Sequence, residues 1–252
     1  MTNVYVQVPA FHEGDHFYQT LPEIASQEPP EGMTLTFEAW VTPGCDDLSN
    51  CRTWQAAENT RTVDAYEAPV GKLATRNTAH AHAVNEGADI IVAWDADAPP
   101  AHKDVLRALL TPYQETDAVV ATNGNPTKAT LVGPLISAVA TAEDVIRPHF
   151  NSQLMSLSSF AWAEAGPFDT DLDQTDVSAV RQEEEFDFYD RVSGLGEIAA
   201  PSNATVVESP RRQLCTVDRA FSRFGMRTHG YCNRIGERSF HPRKTGRNRP
   251  DS

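Results

Sequence analysis

Glycine is scarce where a common kind of phosphate-binding chain needs it. No GxGxxG follows any apolar run, which argues against a NAD-dependent dehydrogenase. The segment "VPAFHEGDHF" offers only Gly14, against a nucleotidyltransferase that opens with a glycine-rich loop. Long apolar runs are missing too: none reaches the roughly 18–20 residues of a membrane span. The opening "MTNVYVQVPAF" joins no basic segment to an apolar stretch, so no signal peptide is expected and a cytoplasmic location is. Cysteine is sparse. Cys45, Cys51, Cys215 and Cys232 form no CxxC pair, which favours free thiols over a disulfide framework. His80 and His82, two apart on an expected helix, diverge rather than converge on a zinc ion. Lysine is rare as well, with only Lys72, Lys103, Lys128 and Lys244 among 21 basic residues. Acidic residues number 35, and the resulting formal charge of -14 argues against nucleic acid as a partner. A surface this acidic and lysine-poor resembles those of proteins adapted to high salt, where repulsion within the fold is screened.

What is present begins with an alternation. Apolar, β-branched runs at "VYVQVPAF", "MTLTFEAWV", "VDAYEAPVG", "DIIVAWDAD" and "DAVVATN" are separated by helical stretches around "HFYQTLPEI", "GKLATRNTAHAHAVNEGA" and "HKDVLRALL". This order predicts an α/β protein with an open, mostly parallel sheet covered by helices on both faces. The first strand is expected to stop at Pro9. On the helix over 71–88, helical spacing selects Leu73, Ala74, Asn77, Ala81 and Val84 as the inward stripe, with Gly87 ending it. The second half is less regular. An apolar segment turns at Gly166–Pro167, and a helix over 177–192 places Phe186, Tyr189 and Val192 on one stripe. The length suits one main domain, drawn over 1–200, with a basic C-terminal segment over 201–252. That segment holds eleven Lys or Arg and four Asp or Glu. Three uses stand open for it: a lid closing over an anion, docking on the acidic body, or contact with an anionic membrane surface at its inner face.

One short stretch raises a sharper question. In "IIVAWDADAPP", residues 90–100, a run of buried-strand character ends in two carboxylates. Side chains two apart on a strand share a face, so Asp95 and Asp97 are expected to project together from its end. Two such groups repel unless a cation lies between them. A hard divalent ion, Mg²⁺ or Mn²⁺, is the natural candidate, and a solvated turn is the plainer reading of the same residues. In parallel sheets ligands gather at the carboxyl ends of strands where the strand order switches, which is where this pair is expected to sit.

Five segments, in order, resemble the motifs of family 2 glycosyltransferases. "VPAFHE" resembles their "PxxNE" opening, "GKLATRNTAHAHA" their "ARN" helix, and "WDADAPP" their "DxD" metal motif. "AEAGPFD" is similar to their "GGFD" turn, and "EEEFDFYDRV" to the "ED-x-DL-x-x-R" pattern. The resemblance implies a GT-A fold and transfer of a sugar from a nucleoside-diphosphate sugar to a glycan or lipid-linked acceptor, usually with inversion. It implies Asp97 and Asp95 at the metal, with Asp95 also facing the ribose. Pro9, Ala10, Glu13, Arg76 and Asn77 would lie around the donor; Arg211, with Arg212 beside it, lies beyond the resemblance, after the last expected strand, and would close over the diphosphate as the lid. Aligning Arg191 with the motif's Arg puts Glu185 at the catalytic base, where the family has Asp, and Glu184 stays a rival. After the second strand the family's "DDGS-x-D" run is missing; Asp46 and Asp47 follow "TPGC" as its only substitutes, so the base is not assigned. A catalytically inactive sugar-nucleotide or carbohydrate binding protein of the same fold is the alternative.

Overall fold

A computed structural model of the chain describes residues 1–10, 15–43, 63–69, 71–122, 153–171 and 183–207. Its strands are β1 (Thr2–Ala10), β2 (Met33–Val41), β3 (Val63–Glu67), β4 (Ile90–Trp94), β5 (Ala118–Thr122), β6 (Leu154–Ser158) and β7 (Glu197–Ala199). Its helices are α1 (Asp15–Ala25), α2 (Lys72–Asn85), α3 (Val105–Leu110), α4 (Pro112–Glu115), α5 (Ser159–Ala165) and α6 (Glu183–Val192). The strands form one sheet in the order β3-β2-β1-β4-β6-β5-β7. The pairs β1–β2, β2–β3, β1–β4 and β5–β7 are parallel, whereas β6 runs antiparallel to both β4 and β5. The sheet is therefore mostly parallel, as its alternating sequence predicts.

Burial explains the composition of the strands. All five residues of β4 are buried, because a central strand covered on both faces has no solvent side to accommodate polar residues. One face packs Val4, Val6 and Val8 of β1 against Phe17, Leu21 and Ile24 of α1 and Leu106 and Leu109 of α3. The other packs Ile91, Met155 and Leu157 against Leu73 of α2, Trp162 of α5, and Phe188 and Val192 of α6. Each fully buried Phe or Leu contributes about 1.5–3 kcal/mol. Among the described residues no helix is long and apolar enough to cross a membrane.

Three local expectations are corrected. β1 continues through Pro9 to Ala10, paired there with Trp40 and Val41 of β2, after its β4 pairing has ended at Gln7–Ala93. The buried residues of α2 are Leu73, Thr75, Arg76, Ala79, His80 and Ala83, while Ala81 is exposed and Ala74, Asn77 and Val84 are half-buried. The helix is rotated from the purely apolar stripe because two polar residues, Arg76 and His80, have partners inside. On α6, Val192 is buried as expected and Tyr189 packs half-buried against the same core, but Phe188, which the stripe left out, is fully buried; the side chain of Phe186 lies outside the described residues. Gly87, at φ 85°, ends α2 where the sequence places the stop.

Candidate active site

The chain runs β1, β2, β3 outward along the sheet and then returns to place β4 on the other side of β1. The strand order switches between β1 and β4, so their carboxyl ends frame the crevice where open α/β sheets bind ligands. Pro9 and Ala10 end β1 there, and Ala10 is buried. Asp95 follows β4 directly.

The acidic pair does not project as two residues of one strand. β4 ends at Trp94, and Asp95 to Ala98 form a turn closed by the Ala98 N–H donating to the Asp95 carbonyl at 3.1 Å. The Trp94 indole Nε1 donates to the Ala98 carbonyl at 2.7 Å, and the Asp95 N–H donates to the Gln153 carbonyl at 2.8 Å. The turn points the carboxylates into different surroundings. Asp95 is 6% exposed, and its Oδ1 accepts from Arg76 Nη2 at 2.9 Å in an ion pair buried at both ends. Asp97 is half-buried on the turn. The first cation that Asp95 meets is thus a guanidinium, supplied by the helix of the "ARN" segment.

That helix also reaches the "GPFD" turn. The Asn77 Nδ2 donates to the Phe168 carbonyl at 2.9 Å, and its Oδ1 accepts from the Phe168 N–H at 2.8 Å. Both ends of the amide are engaged by one residue's backbone. Gly166, at φ 75°, ends α5 in the left-handed region that favours glycine. Arg191 of α6 closes the same turn from the other side. Its Nη1 donates to the carbonyls of Ala165 (2.5 Å), Gly166 (3.2 Å) and Pro167 (2.9 Å). Its Nε and Nη2 donate to Asp187 Oδ2 at 3.1 and 2.7 Å. Glu184 and Glu185 stand in the first turn of α6, and their side chains lie outside the described residues. Glu13, Asp46, Asp47, Arg211 and Arg212, the four cysteines, a strand expected in "GPLISAVATAEDVI" and a short helix expected in "VDRAFSRFG" lie outside them as well.

A stretch near the C-terminus is tied to the same corner. Ala101 donates through its N–H to the Thr205 carbonyl (3.1 Å), Val207 to the Pro99 carbonyl (2.8 Å), and Pro100 and Val206 form an antiparallel bridge. Val206 is fully buried. Residues 204–207 are thereby held beside the prolines that follow the acidic turn.

Sequence reasoning missed the polar network beneath α2. Gln7 of β1 donates through Nε2 to Glu38 Oε2 at 2.9 Å, and its Oε1 meets His80 Nδ1 at 2.7 Å. An amide oxygen only accepts, so Nδ1 carries the His80 proton. Burial, and then the charge of Arg76, push His80 down to about 3, so the ring is neutral at pH 7. Glu38 also accepts from Trp40 Nε1 at 3.0 Å and lies 3.2 Å from His82 Nε2; burial raises its pKa. The two histidines do diverge, one into the core and one to the half-exposed edge. Arg76 and His80, at i and i+4, share one face of α2, but nothing in their sequence spacing marks that face as the buried one.

Of the two carboxylates on the turn, Asp97 could offer oxygen to a hard divalent ion, while Asp95 is already paired with Arg76. Among the described residues no cluster of three or more His, Cys, Asp or Glu gathers around a metal position. An ion such as Mg²⁺ needs no such cluster, because one or two carboxylates and substrate phosphates complete its coordination.

No family model and no curated protein matches the sequence. Solved structures do resemble it. Mannosyltransferase PcManGT from Pyrobaculum calidifontis, in complex with GDP-Man and Mn²⁺, matches with a TM-score of 0.61 at 20% identity. The match covers 88% of this chain and 63% of that one, so this chain spans less than two thirds of the mannosyltransferase. S. aureus TarS 1–349 in complex with UDP matches with a TM-score of 0.58 at 12% identity, covering 93% of this chain and 68% of that one. This chain has the α/β fold of these glycosyltransferases. At such identities the likeness is one of fold, and the chemistry must be argued from the site.

Proposed function

We propose that this chain is a glycosyltransferase that moves a sugar from a nucleoside-diphosphate sugar to an acceptor hydroxyl, with inversion. The observation that carries the reading is the buried Arg76–Asp95 pair at the switch between β1 and β4, with Asp97 on the turn beside it. The fold neighbours add support, since one is described in complex with GDP-Man and Mn²⁺ and another with UDP.

In this reading Asp97 holds Mg²⁺ or Mn²⁺, with Asp95 next to it toward the ribose. When bound, the ion supplies Lewis-acid stabilisation to the charge left on the diphosphate. Pro9, Ala10 and Glu13 line the nucleoside side from the end of β1. Arg76, oriented by Asp95, places positive charge beneath the phosphates. Arg211 and Arg212 close over them: Arg211 follows Val207 by four residues, a chain reach of up to about 14 Å, and Val207 is tied beside the acidic turn. Glu185 takes the proton of the acceptor hydroxyl on the face opposite the leaving diphosphate, with Glu184 as its acidic neighbour and rival for the role. The acceptor is a glycan or a lipid-linked molecule, and the basic segment over 201–252 gives the protein peripheral contact with anionic lipid on the cytoplasmic side.

The test follows release of UDP or GDP from sugar donors with Mn²⁺, in the unmodified protein and in Glu185→Gln and Glu184→Gln. Turnover falls by about 10²–10⁴-fold in the variant that lacks the base, while nucleotide binding stays. A protein that binds nucleotide, never turns donor over and is indifferent to both substitutions is instead an inactive binding protein of the same fold.

A further inference from the structure

The contacts around the 165–168 turn exceed what ending a short helix requires. An α-helix of the length of α5 needs its last carbonyls satisfied, and a backbone or solvent partner is enough for that. Here one guanidinium nitrogen, Arg191 Nη1, gathers three successive carbonyls, while the other nitrogens of the same group are held by Asp187. The guanidinium carbon also lies 5.1 Å from the centre of the Phe188 ring. Phe188 in turn packs on Phe168 with ring centroids 4.4 Å apart. Asn77 of α2 holds the Phe168 backbone by both ends of its amide. Phe168 is 3% exposed and fixes the buried side of the turn, while the bonds of Arg191 and Asn77 to its backbone are partly open to solvent.

The elements joined in this way carry different parts of the site. α2 presents Arg76, the neighbour of Asn77, to Asp95. α6 carries Glu184 and Glu185 in its first turn and Arg191 near its last. We propose that the Ala165–Phe168 turn is a clasp, and that Asn77 and Arg191 are positioning residues which set the helix of the catalytic base against the helix at the donor. The catalytic half of this inference rests on the transferase reading; the mechanical half does not. Displacing a base by about 1 Å costs up to about 100-fold in rate without any change in the contacts to the donor. Asn77, expected at the donor from the "ARN" segment, has both ends of its amide on the Phe168 backbone, and Arg191 is held by the turn and Asp187; neither is assigned a contact with substrate, which separates them from Glu185 and Asp97.

The experiment pairs hydrogen exchange with kinetics. Asn77→Ala removes a side chain of α2, yet the clasp predicts that exchange rises by about tenfold or more in the amides of α6, while β1 and β4 keep their protection. Asn77→Asp, which retains the acceptor for the Phe168 N–H, is the second variant should the first not fold. Arg191→Gln lowers kcat by about 10–100-fold and leaves the Kd of the nucleotide with Mn²⁺ within about threefold. Arg191→Lys, which can still donate to carbonyls, recovers part of that loss. Unchanged exchange in α6 after Asn77 is altered overturns the clasp. So does an activity loss in Arg191→Gln that is matched by an equal loss of nucleotide affinity. If the unmodified protein neither binds nucleotide nor turns donor over, the transferase reading falls, and the exchange result still decides the clasp.

Discussion

Asp95 and Asp97 stand one residue apart, and their surroundings assign them different work. Asp95 is buried against Arg76, so its carboxylate stabilises a cation that the fold has already taken out of water. Removing one partner of a buried ion pair leaves an uncompensated charge and costs about 3–5 kcal/mol. Asp97, half-buried on a turn, has no comparable burial. Asp95→Ala is therefore expected to lower the unfolding free energy by about 3–5 kcal/mol, and Asp97→Ala by about 1 kcal/mol or less. Urea unfolding of the two variants at pH 7 measures the difference. Equal losses would mean that the ion pair is not what distinguishes the two residues. An activity assay alone would miss this, since both substitutions are expected to abolish turnover.

At the scale of elements, α2 is where the corner at the ends of β1 and β4 meets the interior. It offers Arg76 to Asp95, Asn77 to the 165–168 turn and His80 to Gln7. His80 gives the helix a pH signature. Its folded pKa lies near 3, below the ordinary 6.5, so the unfolded chain binds a proton more readily than the folded one. The stability that this neutral ring contributes is present above pH 6.5 and is lost as pH falls from there toward 3. His80→Asn keeps a donor for Gln7 Oε1 and removes the titration. Between pH 6.5 and 5 the unmodified protein should lose up to about 1.4 kcal/mol per pH unit more than this variant. Thermal or urea unfolding across that window tests it, and parallel curves would contradict it.

The same helix shows why part of the fold was legible and part was not. β4 announced itself because a strand buried on both faces must be apolar throughout, and "IIVAW" is. That Asp95 stands at the carboxyl end of a strand beside the switch in strand order followed from the alternation of strand and helix, whereas the last residues of β1 and β4 did not. The rotation of α2 did not follow, because hydrophobic spacing cannot see that Arg76 and His80 have buried partners on other strands and loops. Nor could alternation show that Asp95 begins a turn; that depends on Trp94 and Gln153 closing on it from outside the local segment. The motifs themselves were readable in order, whereas their mutual bonds, Asn77 to Phe168 and Arg191 to residues 165–167, join positions up to 91 apart in the chain.

For the whole molecule the governing quantity is charge. A formal charge of -14 and a pI near 4.9 mean that the folded chain repels itself at neutral pH. Raising KCl from about 0.1 M to 1 M shortens the screening length from about 10 Å to 3 Å, so the melting temperature is expected to rise over that range. A flat or falling curve would show that self-repulsion does not limit this fold.

Calorimetric titration with UDP and with GDP decides whether a nucleoside diphosphate and a divalent ion meet at the end of β4. Each titration is run with and without Mn²⁺, at high salt, on the unmodified protein and on Asp97→Ala. Binding of one nucleotide that requires Mn²⁺ and disappears in Asp97→Ala is expected, and the nucleotide bound identifies the base. Absence of binding by either nucleotide to the folded protein would contradict that expectation.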